Sequence, residues 1–207
     1  MFYFIKTPGW LKKILYPSLI WNIDTTEKIL YLTFDDGPHE KATPFALDQL
    51  KKYNAKATFF CLGKNVIEQQ NIYQRILDEG HKAGNHTFNH LNGWKTKDNT
   101  YFENIAEAAK HIDSKLFRPP YGRITRFQAK TLNANTKYKI IMWDVLSGDF
   151  DISLSREKCF QNVALNAKPG SIIVFHDSEK AFERMSYALP KLLKHFTDKG
   201  YRFEALS

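Results

Sequence analysis

The chain has 207 residues, is 43% hydrophobic with 16 Phe, and carries a formal net charge of +8 from 30 Lys and Arg against 22 Asp and Glu. That length and apolar content suit one domain with a large core and exclude a disordered chain. The basic balance favours anionic surroundings, but no Lys/Arg run of nucleic-acid type occurs, so no nucleic-acid partner is expected.

Residues 1–26 form an aromatic and basic segment, expected to pack on a main domain of residues 27–207. Lys6, Pro8, Lys12, Lys13 and Pro17 interrupt it, leaving neither a secretion signal of the usual kind nor a membrane-spanning helix. The sequence therefore reads as cytoplasmic, with association to a cell envelope left open. Trp10, Leu11, Ile14 and Leu15 suggest one short apolar helical face.

From Ile29 to Phe34 the residues are apolar, β-branched or aromatic, which predicts a buried strand feeding the turn Asp35-Asp36-Gly37-Pro38. Neighbouring side chains on a strand point opposite ways, so two aspartates share one site only if the chain bends there. Gly37 is the residue expected to allow that bend. Thr43-Pro44 resembles a helix cap and first-turn proline, followed by a helix through Leu50 and Tyr53. Lys56–Leu62 predicts a second strand, Val66–Glu79 a helix, and His81–Asn85 a short third strand. A helix around Ile105 to Ile112 leads to Leu116-Phe117-Arg118, and another near Arg126 to Asn133 precedes a strand over Tyr138–Val145. The helix Arg156–Asn166, the apolar strand Ser171–Phe175, the helix Ala181–Phe196 and a last strand at Tyr201–Leu206 complete the chain. Cys61 and Cys159 lie far apart in apolar surroundings and read as buried free thiols.

Strands and helices alternate about seven times, which demands crossover connections and a parallel sheet. The expected fold is α/β, a single-domain barrel shorter than the eightfold (β/α) version, with chemistry at the C-terminal strand ends. There the unusual residues fall: Asp35 and Asp36, His86 and His90, Arg118 to Gly122, Asp144 to Asp149, and His176-Asp177. On a helical turn, the four-residue spacing of His86 and His90 would put both imidazoles on one side. Asp36 would complete a two-His, one-carboxylate set with an open position, as catalytic zinc needs, and zinc would bring the pKa of a water there to roughly 7. Asp35 is then free to act as general base. Such a site also accepts cobalt or another divalent ion.

The motifs Thr33-Phe-Asp-Asp-Gly-Pro38, His86-Thr-Phe-Asn-His90, Arg118-Pro-Pro-Tyr-Gly122, Trp143-Asp-Val-Leu-Ser-Gly-Asp-Phe150 and Val174-Phe-His176 occur in that order. Together they resemble the polysaccharide deacetylases of the NodB-homology type, carbohydrate esterase family four. The resemblance covers Lys28 to about Tyr201. It implies a deformed (β/α)7 barrel that hydrolyses N-acetyl groups on N-acetylglucosamine units of a glycan, peptidoglycan or a chitin-like oligosaccharide. It further implies Asp35 as base, Asp36, His86 and His90 as metal ligands, and Arg118 as partner of the base. The Tyr121 backbone N–H is implied as oxyanion donor and His176 as general acid. At Leu146 the family usually has an Asp that polarises this histidine; Asp144, two residues earlier, is expected to replace it. Trp94, Tyr121, Trp143 and Phe150 are candidate platforms for sugar rings, with Pro119 beside them. A monomer is expected. Two other readings fit the same residues: an amidohydrolase acting on a small cytoplasmic amide, and a catalytically weak glycan-binding module.

Overall fold

A computed structural model describes residues 3–12 and 16–207. Its strands are β1 (Ile29–Asp35), β2 (Ala57–Cys61), β3 (Lys82–Asn85), β4 (Leu116–Phe117), β5 (Lys139–Ile140), β6 (Val145–Leu146), β7 (Ile172–His176) and β8 (Arg202–Phe203). The helices are α1 (Ala42–Lys52), α2 (Gly63–Glu68), α3 (Gln70–Asp78), α4 (Asp98–Ala109), α5 (Arg126–Thr136), α6 (Arg156–Ala164) and α7 (Glu179–Thr197). The strands pair in parallel in the order β5-β4-β3-β2-β1-β7-β6, and the short β8 pairs with the start of β1. This is a deformed (β/α)7 barrel. Among the described residues no helix is long and apolar enough to cross a membrane.

The central strand β1 is buried along its whole length, and its two faces do different work. Leu30, Leu32 and Phe34 point outward into the main core, where Phe34 stacks on Phe59 at 4.8 Å and α7 covers the layer with Leu189 and Leu192. Ile29 and Tyr31 point inward with Phe60, Ile141 and Ile172, filling the lower barrel. The period-2 alternation then carries Thr33 and Asp35 inward as well, into the top of the same interior.

The barrel is open between β5 and β6, and the N-terminal segment enters that seam. Ile20 donates its N–H to the Ile140 carbonyl at 2.9 Å and accepts from Met142 at 2.7 Å. Further along, Leu146 donates to Ile5 and Thr7 to the carbonyl of Asp144. The expected strand Tyr138–Val145 is instead two short strands: between them Ile141 donates to the Phe117 carbonyl of β4 and Asp144 to the Ile172 carbonyl of β7, while Met142 turns its N–H to Ile20 of the N-terminal segment. The single helix expected at Val66–Glu79 breaks at Gln69 into α2 and α3. Thr43 caps nothing; Lys41 occupies the N-cap position of α1, and Thr43 turns its hydroxyl to Asp177. Of the expected N-terminal apolar face, Leu11 packs against the core around Trp21, while Trp10 is 54% exposed. Ile14 and Leu15 lie outside the described residues.

Candidate active site

The strand ends build one cleft of about 340 Å³ at the barrel mouth, lined by Asp35, Asp36, His86, His90, Tyr121, Trp143, Phe150 and His176 among others. Asp35 closes β1 with its carboxylate inside the barrel. Asp36 joins it because its backbone is left-handed, φ 82°, which swings the second carboxylate to the same side. The bend thus falls at Asp36 rather than at Gly37. Gly37 is required for space instead: a Cβ there would lie 2.0 Å from the buried Asp177 carboxylate, which accepts the Gly37 N–H at 3.0 Å.

His86 and His90 do not share a helix. They sit on a loop after β3, bent by left-handed residues at Thr87 (φ 69°) and His90 (φ 60°). Even so, one ligand atom each from Asp36, His86 and His90 lies within 4.8 Å of the others. His86 donates its Nδ1–H to the Arg118 carbonyl at 2.7 Å, and His90 Nδ1 meets the Tyr121 hydroxyl at 3.1 Å. Both arrangements leave Nε2 facing Asp36, at 3.7 and 3.2 Å from its Oδ1. A ring nitrogen tied down in this way orients the other as a metal ligand. Burial lowers the His86 pKa to about 4, so its imidazole is neutral, as a ligand must be. Burial alone would raise the Asp36 pKa, but the neighbouring His90, His176 and His86 side chains hold it well below the usual carboxylate range. Asp36 Oδ1 is nevertheless buried with no hydrogen bond of good geometry. Such an orphaned carboxylate oxygen between two Nε2 atoms fits a divalent cation.

Arg118, after β4, is fully buried. Its Nη1 donates to Asp35 Oδ1 and to Thr33 Oγ1, both at 2.7 Å, while Nε and Nη2 bond the Ile141 and Met142 carbonyls. The guanidinium also lies 4.1 Å from the centroid of the Phe60 ring. This network fixes Asp35 Oδ1 and leaves Oδ2 with no partner among the described residues. Tyr121 stands in the mouth with a left-handed backbone, φ 59°, and is 52% exposed.

Asp144 does not polarise His176. It immediately precedes β6, at the end of that strand opposite the mouth, where it pairs with Lys12 and accepts the Ser171 hydroxyl at 2.6 Å. The residue paired with His176 is Asp149, which follows β6: His176 Nδ1–H donates to its Oδ1 at 2.8 Å. As one strand, Tyr138–Val145 would carry Asp144 at its C-terminal end, near the mouth; divided, it leaves Asp144 before β6 and away from the mouth. Burial would lower the His176 pKa, but the Asp149 ion pair, with Asp36 and Asp35 farther off, pushes it up to about 10. Leu146 lines the cleft as an apolar wall.

Among the expected sugar platforms, Tyr121, Trp143 and Phe150 line the cleft, and Phe150 meets the His176 ring edge-on at 5.2 Å. Pro119 is buried behind the turn and does not face the cleft, and Trp94 belongs to an adjoining pocket. Tyr3, Arg123 and Lys180 also line the cleft, and no motif pointed to them.

A polysaccharide deacetylase family profile matches residues 22–141. The chain is 35% identical over 205 residues to a peptidoglycan-N-acetylglucosamine deacetylase of Bacillus cereus, covering 95% of this chain and 96% of that protein. It is 32% identical to the peptidoglycan-N-acetylglucosamine deacetylase PgdA of Listeria monocytogenes, over 86% of this chain and 38% of that longer protein. Among solved structures, a peptidoglycan N-acetylglucosamine deacetylase bound to a naphthalenyl N-oxidanyl-benzamide superposes with a TM-score of 0.87 at 34% identity, covering 97% of this chain and 95% of the other.

Proposed function

The chain belongs to the polysaccharide deacetylase family, and from that premise we propose that it hydrolyses the acetamido group of N-acetylglucosamine units in a glycan, peptidoglycan foremost. Acetate leaves and a free amine remains. One observation carries the reading: a three-ligand cluster with an orphaned carboxylate oxygen lies in one cleft with an arginine-bound aspartate and an aspartate-bound histidine.

Asp36, His86 and His90 would hold the divalent ion, zinc or cobalt by their donor types. Such an ion supplies Lewis-acid chemistry, polarising an amide carbonyl and bringing the pKa of water to roughly 7. Asp35, with Oδ1 held by Arg118, takes the proton of the attacking water on Oδ2. The Tyr121 backbone N–H donates to the oxyanion formed at the former carbonyl. His176 then gives its proton to the departing nitrogen, which would otherwise be a poor leaving group. Asp149 keeps that proton on the imidazole until it is needed.

The test is to strip the protein with chelator, restore zinc and measure acetate release from N-acetylglucosamine oligomers of increasing length. Metal-restored release that climbs with length is expected, since remote binding lowers the barrier. Stoichiometric metal binding without release at any length would sink the proposal.

A further inference from the structure

Beside the catalytic cleft lies a second pocket of about 390 Å³. Tyr3, Tyr121, Arg123, Trp143 and Leu146 line both, so the two are continuous. The far side is built by the N-terminal segment, including Tyr16 and Trp21. Three of its aromatic residues already use their polar edges within the protein. Tyr16 and Trp94 both donate to the Ile124 carbonyl, at 3.1 and 2.9 Å, and Trp21 donates to the Tyr16 carbonyl at 3.1 Å. These three offer a ligand ring surface, which suits the C–H face of a sugar.

Arg123 stands at the junction. Its guanidinium lies 4.1 Å from the centroid of the Trp94 ring. Its backbone is held on both sides, by its own N–H to the Pro120 carbonyl at 3.0 Å and by the Gly93 N–H to its carbonyl at 3.2 Å. Among the described residues no carboxylate pairs with it, and no acidic residue lines the second pocket. Among the described residues the acids lining the cleft are Asp35 and Asp36, which face Arg118 and the two imidazoles. A planar cation stacked on an indole and left without a counter-ion is preorganised for a carboxylate, which it can bind through two N–H groups.

We propose that Arg123 reads a carboxylate on the sugar ring next to the one deacetylated, and that the second pocket holds that ring. Arg123 is then the residue by which the site prefers a glycan with a carboxylate on the adjoining ring, as peptidoglycan has, over a neutral homopolymer. This assignment rests on the deacetylase reading above. Lys180 also lines the cleft without an ion pair among the described residues, but it is exposed and does not reach the second pocket.

The test compares two tetrasaccharides in which N-acetylglucosamine alternates with a ring bearing a lactyl ether, as the free carboxylate or as its primary amide. For the zinc-loaded protein, kcat/KM should favour the carboxylate about tenfold, mainly through KM, and the ratio should shrink with added salt. Arg123→Gln should bring the ratio to within about twofold of unity, and Arg123→Lys should keep part of it. A ratio near one in the unaltered protein, a ratio that survives in Arg123→Gln, or one lost equally in Lys180→Gln would overturn the assignment. Calorimetry with the same two glycans reads the ratio as affinity and needs no turnover. Absence of acetate from both would thus count against the deacetylase reading, while the calorimetric ratio would still decide for or against Arg123.

Discussion

His176 and Asp149 are joined twice: the imidazole Nδ1–H donates to Asp149 Oδ1 at 2.8 Å, and the backbone N–H of His176 donates to Oδ2 at 2.6 Å. Both carboxylate oxygens are committed to one residue, so the imidazole has a fixed tautomer and a fixed direction. Its second nitrogen is left for the cleft.

Asp149→Asn should move the alkaline limb of the kcat/KM profile down by about 1–3 pH units, because the imidazolium loses its counter-ion. Asp144→Asn should leave that limb in place. The same pair sets a stability trend in the metal-free protein. A histidine whose pKa rises from 6.5 to about 10 on folding contributes stability that is full below the unfolded value and is lost as pH climbs through the folded one. Melting curves from neutral to alkaline pH should show this loss in the unaltered protein and a shallower one in Asp149→Asn.

Metal binding and turnover should separate. Asp35→Asn is expected to bind zinc normally and lose nearly all acetate release, whereas His86→Ala should lose both. Tyr121→Phe, which removes the hydroxyl beside His90 Nδ1, should weaken zinc binding by roughly tenfold. Calorimetric zinc titration beside an acetate assay checks all three. An Asp35→Asn variant with most of its activity would remove the proposed base.

Arg118→Met leaves the Asp35 carboxylate buried without its cation and should cost about 3–5 kcal/mol in urea unfolding of the metal-free protein. The double variant Arg118→Met/Asp35→Asn should be less destabilised than Arg118→Met alone, since no buried charge is then stranded. Equal losses would show that packing of the guanidinium on Phe60, rather than the ion pair, carries the effect.

Asp177 is buried under the catalytic turn, where burial pushes its carboxyl up to about 8 against the opposing hydrogen bond from Thr43. A carboxyl raised on folding stabilises fully below its unfolded pKa and stops doing so as pH rises through the folded one. Between mildly acidic and mildly alkaline pH the unaltered protein should therefore lose stability that Asp177→Asn does not. The melting temperature of the variant relative to the parent should rise across that interval. A constant difference would mean that Asp177 does not titrate there.

The sequence by itself determined the elements whose burial is local and periodic. The apolar runs of β1, β2 and β7 and the stripe of α7 can be read from residue order because each buries a regular face. The ends of β1, β3, β4 and β7 then bring Asp35, Asp36, His86, His90, Arg118 and His176 to one mouth. Tertiary structure alone decided what depends on residues far apart in the chain. Asp149, not Asp144, meets His176, because what reads as one strand is interrupted where Met142 pairs with Ile20, so that Asp144 lies before β6 and Asp149 after it. The histidine pair converges through left-handed backbone at Thr87 and His90, for which helical spacing is no guide. The second pocket needs Tyr16 and Trp21 beside Trp94 and Arg123. No local periodicity encodes such meetings, since they are set by packing between segments separated by tens of residues.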